Sequence, residues 1–206
     1  MKIFLKVFFT LFFSFSFVVF SLAQENEIES ALGFYKQKQY VLAQSILQNI
    51  DSPKALLYNA KCSKELSADD TKELFQKLIN EYPYSNFVSD ACLSLADIYF
   101  NEKEYALAID YYRLVEEPNS TNQAFNFAYS YFQIDSLERA KYLFSKLLLI
   151  DSEYQSASKY YFAHISYKSE DYQSSLKYFK ELRNDSKFKN IIPYYISQIY
   201  YFLQEY

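Results

Sequence analysis

Small residues recur along this chain at nearly regular intervals, and a large apolar residue follows each of them. The small residues are spaced by 29, 36, 32, 35 and 34 positions: Ala31, Ala60, Ala96, Ala128, Ala163 and Ser197. Large residues follow the first five by sixteen positions, or by fifteen in the second case: Leu47, Phe75, Tyr112, Phe144 and Phe179. This spacing predicts one pair of antiparallel helices per unit. Such a hairpin cannot bury its apolar stripe alone, so neighbouring hairpins must stack into an all-α superhelical array.

Polar joints and stop signals divide the chain into five hairpins and a half repeat. Asp51-Ser52-Pro53 is one such stop, because proline cannot continue a helix and suits the first turn of the next. The predicted hairpins cover residues 25–51, 54–82, 88–117, 121–151 and 156–185, and the half repeat covers 190–206. One glycine and four prolines are too few for the tight turns of a β sandwich or barrel, which also favours helices.

The second helices of three hairpins share a pattern of one large, one small and one large aromatic residue. They read Tyr105-x-x-Ala108-x-x-x-Tyr112, Leu137-x-x-Ala140-x-x-x-Phe144 and Tyr172-x-x-Ser175-x-x-x-Phe179. This spacing resembles the tetratricopeptide repeat over about residues 25–206, essentially the whole chain after its N-terminal segment. The resemblance implies a right-handed α-solenoid. Trp is absent, no glycine stands in a joint, and Thr71 replaces the small residue of the second repeat.

A narrower resemblance concerns two aromatic stretches near the C-terminus. Residues 160–165 and 193–201 read Tyr-Tyr-Phe-Ala-His-Ile and Pro-Tyr-Tyr-Ile-Ser-Gln-Ile-Tyr-Tyr. They are similar to the N-terminal region of long exported tetratricopeptide-repeat proteins of Gram-negative bacteria. This resemblance implies an exported protein that is periplasmic or associated with the outer membrane.

The N-terminal segment has the pattern of a secretory signal peptide. Lys2 and Lys6 precede an uncharged apolar run over residues 7–20, and Ser21-Leu22-Ala23 ends it with small residues at the spacing a peptidase requires. We predict a signal peptide over residues 1–23 and the repeat array over 24–206. The alternative is a retained membrane anchor, since residues 7–24 are eighteen uncharged positions, which is borderline for spanning a bilayer.

The chain ends within a sixth unit. Residues 191–206 supply a first helix whose Tyr195, Ile199 and Phe202 would lack a second helix to cover them. Natural arrays end in repeats with a polar outer face. We therefore expect that the chain is part of a longer protein or, as the less favoured interpretation, that this helix pairs with another copy.

The net charge of the chain argues against nucleic acid as a partner. Cleavage after Ala23 removes two of 21 basic residues and none of 25 acidic ones, leaving a net charge of −6. Nucleic acid is a poor partner for such a surface, because phosphate binding requires clustered Lys and Arg.

Cys62 and Cys92 lie on first helices of adjacent repeats, but at different heights, so buried free thiols are expected rather than a disulfide.

By analogy with tetratricopeptide arrays, the first helices line the concave, partner-binding surface. The residues expected there are mainly aromatic, with polar ones among them: Asp97, Phe100, Asn101, Phe125, Tyr129, Phe132, Gln133, Tyr160, His164, Tyr167, Lys168, Tyr194, Gln198 and Tyr201. Tyrosine offers a large contact area and a hydroxyl, which suits peptide capture. Alternatively, these rings only fill the inside of the array or pack against the next repeat.

Catalytic chemistry has little support in the sequence. His164 is the only histidine, two separated cysteines cannot form a zinc site, and no Gly-rich phosphate loop exists. We expect no enzyme activity, no cofactor and no metal. The favoured function is a protein-interaction scaffold of the cell envelope that binds peptide segments. The alternatives are a glycan- or peptidoglycan-binding module and a purely structural segment of a longer solenoid.

Overall fold

A computed structural model describes residues 23–115 and 118–204. The predicted signal peptide lies outside the described residues except for Ala23, so it stays a prediction. All regular structure in the described residues is helical, which confirms the predicted all-α class. The described residues divide into two compact units, the first ending at Ala91 and the second beginning at Cys92.

The described part of the first unit contains four helices and the start of a fifth. Residues 23–36 form α1, followed by α2 (Tyr40–Leu47), α3 (Pro53–Glu65) and α4 (Thr71–Glu81). The fifth helix, α5 (Val88–Asn101), contains the unit boundary. Helices that follow one another in sequence pack together, α2 on α3 and α3 on α4. The unit is therefore built of hairpins.

The second unit continues the same succession. After α5 come α6 (Tyr105–Tyr112), α7 (Thr121–Gln133), α8 (Leu137–Leu147), α9 (Gln155–Lys168), α10 (Tyr172–Glu181) and α11 (Ile192–Leu203). From α6 to α11, each helix packs against the next one in sequence. Polar side chains cap several helices: Ser120 accepts a hydrogen bond from the Gln123 N–H at 3.3 Å and begins α7. Sequential packing is what the repeat spacing predicts.

The periodic small residues lie where paired helices approach each other. Ala31, Ala60, Ala96, Ala128 and Ala163 are all 0% exposed, and the large residues sixteen or fifteen positions later are buried as well. A larger side chain would push the helices apart, because protein interiors have little free volume. Ser197, the sixth member of the series, is exposed.

Each hairpin joint contains a residue in the left-handed conformation although none is glycine. Their φ angles lie between 54° and 65°: Lys38, Ser67, Lys103, Asp135 and Glu170. At the fourth joint the Ser136 N–H donates to the Tyr131 carbonyl at 2.9 Å and the Asp135 N–H to Phe132 at 3.1 Å. These bonds satisfy carbonyls that a helix end leaves free, in a Schellman motif. The joints therefore adopt the left-handed conformation without glycine, and the hairpins form as predicted.

Replacing Glu170 by glycine should stabilise the protein. Glycine adopts φ near 60° without the steric cost that an L side chain bears, so the free energy of unfolding should rise by about 0.5–1 kcal/mol. The control is Arg139→Gly at an exposed position inside α8, which should lower it by about 1 kcal/mol. Urea denaturation followed by circular dichroism measures both, and a destabilised Glu170→Gly would contradict the joint geometry.

Cys62 and Cys92 are both buried free thiols. Burial raises the pKa of Cys62 to about 11, with a smaller contribution from Glu65. Burial raises the pKa of Cys92 too. Since the thiolate is the reactive form, both behave as small apolar core residues, as the sequence led us to expect.

Candidate functional site

The fourteen predicted binding residues occupy equivalent positions on the first helices of the second unit. Relative to the small residue of its unit, each lies three positions before it or one, four or five positions after it, on α5, α7, α9 and α11. We call the surface that these residues form the first-helix face. Helical periodicity places residues at these offsets on one side of a helix.

The rings of the first-helix face form a connected series from one helix to the next. Phe100 on α5 meets Tyr129 on α7 at 5.9 Å between ring centroids, with planes inclined by 69°. Phe132 on α7 lies 6.0 Å from the His164 ring on α9. The series reaches α11 through Phe202, a ring outside the fourteen, which lies 6.4 Å from Tyr167 on α9. Such edge-to-face and tilted pairs are favourable for aromatic rings, so this row of rings links the helices.

Two rings that the sequence analysis missed lie behind this row. Tyr161 stacks on Phe144 of α8 at 5.3 Å and 14°, and Tyr195 stacks on Phe179 of α10 at 4.9 Å and 14°. Both stand two positions before the small residue of their unit, next to a predicted site residue. This shared position in the repeat could have identified both rings from the sequence. These rings bridge the first-helix face and the core.

Burial perturbs the ionisation of these inner tyrosines. It raises the pKa of Tyr195 to about 12, with a smaller contribution from Tyr160, and it raises the pKa of Tyr161 as well. Both hydroxyls therefore stay protonated at neutral pH and act as neutral hydrogen-bonding groups.

His164 lies within the aromatic row rather than at an open edge. Its ring is 6.0 Å from Phe132, 6.0 Å from Tyr160 and 5.6 Å from Tyr195, and the residue is half-buried. Burial lowers the pKa of His164, and Lys168 lowers it further. Among the described residues, no hydrogen-bond partner reaches its Nδ1. The side chain is therefore a neutral imidazole packed among rings at neutral pH.

Asp97 is engaged by its neighbours. Its carboxylate accepts the Tyr112 hydroxyl at 2.6 Å and the Gln123 Nε2 at 2.8 Å, which joins α5, α6 and α7. Burial, together with the bond to Asp97, raises the pKa of Tyr112. Asp97 thus has a structural part in addition to its position on the first-helix face.

Hydrogen bonds connect the α9 and α11 parts of the first-helix face. Gln198 accepts the Tyr167 hydroxyl through Oε1 at 2.8 Å and donates through Nε2 to the Tyr194 hydroxyl at 2.8 Å. Lys168 pairs with Asp135 at 3.5 Å, and both side chains are exposed. An exposed pair of this kind adds little stability, so the ammonium group is available to a partner.

The accessible members of the face differ from the packed ones. Asn101, Gln133 and Lys168 occupy the same repeat position and are exposed. Tyr194 and Tyr201 on α11 are 62% and 64% exposed. The first-helix face therefore presents half-buried rings bordered by exposed amide, ammonium and hydroxyl groups.

The described residues offer neither a metal cluster nor a membrane-spanning helix. The described part of the chain contains no cluster of three or more His, Cys, Asp or Glu side chains suited to a metal ion. Within residues 23–115 and 118–204, none of the helices has the length and hydropathy needed to cross a membrane.

Comparison with known proteins yields structural matches. No family model and no curated protein matches the sequence. A solved structure of MamA AMB-1 matches with a TM-score of 0.66 at 15% identity, covering 81% of this chain and 93% of that one. A tetratricopeptide repeat protein from Parabacteroides merdae gives 0.60 at 16% identity, covering 88% and 74%. PilF of Pseudomonas aeruginosa gives 0.56 at 15% identity, covering 87% and 91%.

Matches at these identities establish a fold and leave the ligand open. The neighbours share a succession of helical hairpins with this chain over most of its length, which confirms the resemblance predicted from the residue spacing. The chain accordingly has the fold of a tetratricopeptide-repeat protein.

Proposed function

We propose that this protein is a non-enzymatic interaction scaffold that binds segments of other proteins along the first-helix face. The observation that carries the proposal is the row of half-buried rings bordered by exposed Asn101, Gln133 and Lys168. Rings provide apolar contact area, and the polar border can satisfy the backbone groups of an extended peptide. We further propose that it acts after export, in the periplasm or at the outer membrane.

Ring packing favours a peptide over a glycan. A sugar stacks on an open ring face, yet Phe188 covers Tyr160 at 4.6 Å with planes 5° apart, and Phe179 covers Tyr195. A peptide can use ring edges and tyrosine hydroxyls instead. The extensive mutual packing also supports the purely structural alternative, which the experiment below separates from binding.

The test is a crosslinked pull-down of the full chain from intact envelopes. The binding variant carries Gln133→Ala, Lys168→Ala and Tyr194→Ala, three exposed changes on first helices. The matched control carries Gln173→Ala, Lys177→Ala and Tyr142→Ala, the same exposed residue types on second helices. We expect the binding variant to lose captured partners about tenfold and the control to retain them, because interface hot spots dominate affinity.

Crosslinks to the wild type should map to short segments of the partners. Equal capture by the two triple variants would contradict binding at the first-helix face and would favour the structural alternative. Circular dichroism of all three proteins verifies that exposed substitutions leave the fold unchanged.

The same samples test self-association through α11, which we propose as a second interface. This helix contains no charged residue over Ile192–Leu203, and Tyr194, Tyr201 and Phe202 are at least 50% exposed. Exported copies, with a net charge of −6 after the predicted cleavage, repel one another over most of their surface, whereas two uncharged helices can approach. Tagged and untagged copies should therefore crosslink, and Tyr201→Asp should abolish that crosslink. Crosslinking that persists in this variant would place the contact elsewhere.

A further inference from the structure

A polar cleft in the first unit shares no residue with the first-helix face. It has a volume of about 470 Å³ and lies between the end of α2 and helices α3 and α4. Its polar lining includes three amides, three carboxylates, one ammonium group and one phenol: Gln48, Asn49, Asn59, Asp51, Asp70, Glu81, Lys77 and Tyr82. The volume falls within the range of small-molecule sites.

Asn59 is a buried polar residue in the lining of this cleft. The residue is 7% exposed, and its Oδ1 has no hydrogen-bond partner among the described residues. Buried polar atoms are almost always hydrogen-bonded, because a missing bond costs free energy. The oxygen is therefore an unused acceptor at the wall of the cleft, and a donor bound there would satisfy it.

Comparison between repeats shows that Asn59 replaces an apolar residue. It stands directly before the small residue Ala60, where later first helices carry Leu95, Phe127, Phe162 and Ile196. In the fourth repeat, a cleft of about 320 Å³ at the equivalent place is lined by Phe127, Leu143 and Ile150. The same packing position is apolar there and polar in the second repeat.

The carboxylates keep acceptor capacity for a ligand. Asp51 accepts the Tyr82 hydroxyl at 2.5 Å, Asp70 accepts the Ser63 hydroxyl, and Glu81 lies 4.0 Å from Lys77. A carboxylate has about four acceptor positions, so these contacts leave others open. Three carboxylates against one ammonium group make the lining acidic. A ligand that donates hydrogen bonds and carries positive charge fits both the charge and the unpaired amide oxygen.

We propose that this cleft binds a guanidinium group of the kind that arginine carries. Guanidinium is planar, presents five N–H donors and is always charged, so it can serve Asn59 and more than one carboxylate together. The described residues lack a cluster of His, Cys and acidic side chains suited to a metal ion, which favours an organic cation. The proposal concerns the first unit and is independent of the first-helix face.

The test measures binding of N-acetyl-arginine amide to the full chain by calorimetry, with the citrulline analogue as the uncharged ligand of the same shape. We expect saturable binding of the arginine compound and about tenfold weaker binding of the citrulline compound. A capped tripeptide with a central arginine, compared with free arginine, identifies the source. Tighter peptide binding indicates a protein segment, and equal binding indicates the free amino acid.

Two variants and a control locate the site. Asn59→Leu introduces the residue type of Leu95, so it should fold and bind arginine at least about tenfold more weakly. Asp51→Asn keeps an acceptor for Tyr82 while removing a charge, and it should weaken binding about threefold or more. Asp110→Asn on the exposed side of α6 should change nothing. Absence of saturable binding, equal binding of citrulline, or unchanged affinity in Asn59→Leu would each overturn the proposal.

Discussion

Replacing Phe144 by alanine is expected to lower the free energy of unfolding by about 3–5 kcal/mol. Phe144 is 0% exposed and packs in one cluster with Ala128, Ala140 and Ile165. Its ring also stacks on Tyr161 at 5.3 Å. Removing it deletes these contacts and leaves a cavity between α7, α8 and α9, which rigid helices can close only in part.

The control for this substitution lies in the same helix. Tyr142 is 58% exposed, and its ring contacts Lys146 at 4.8 Å from the ammonium to the centroid. Tyr142→Ala should therefore cost no more than about 1 kcal/mol. Urea denaturation followed by circular dichroism compares the two proteins. A loss below about 1 kcal/mol for Phe144→Ala would mean that α8 is not packed as described.

Replacing Ala163 by leucine is expected to lower the free energy of unfolding by about 1–3 kcal/mol. Ala163 is 0% exposed in a cluster with Leu176, Phe179, Ile192 and Ile199, so a larger side chain must displace a neighbouring helix. The reason is steric: α9 and α10 approach closely only because this residue is small.

Ser197 provides the matched control, because it stands at the same repeat position but is exposed. Ser197→Leu should change the free energy of unfolding by less than about 0.5 kcal/mol. Thermal and urea unfolding of both variants test the contrast. An equal decrease in the free energy of unfolding for both variants would contradict the close packing described around Ala163.

The joints show how far the repeat spacing predicts detail. Every left-handed residue that the described chain contains lies seven positions after the small residue of its unit, from Lys38 to Gln204. The spacing of small residues thus places each joint as well as each helix. It does so because helix length and turn geometry are local properties that repeat with the sequence.

The sequence predicts which side of each first helix the fourteen residues share, because the offset from the small residue determines the side that a residue occupies. Their role in binding stays a prediction. The spacing did not reveal that Asp97 is bound by Tyr112 and Gln123, or that His164 lies between rings of three neighbours. Most of these contacts come from side chains on other helices, which the pattern within one helix does not specify.

The sequence by itself determined the all-α class, the order of the hairpins and the burial of the five alanines of the series, since these follow from helical periodicity and the need to cover apolar stripes. Only the tertiary structure decided which rings are covered and which polar groups lack partners, as the contrast between Tyr201 and Asn59 illustrates. The physical reason is that periodicity is encoded within one helix, whereas contact and solvation depend on the combined shapes of neighbouring helices.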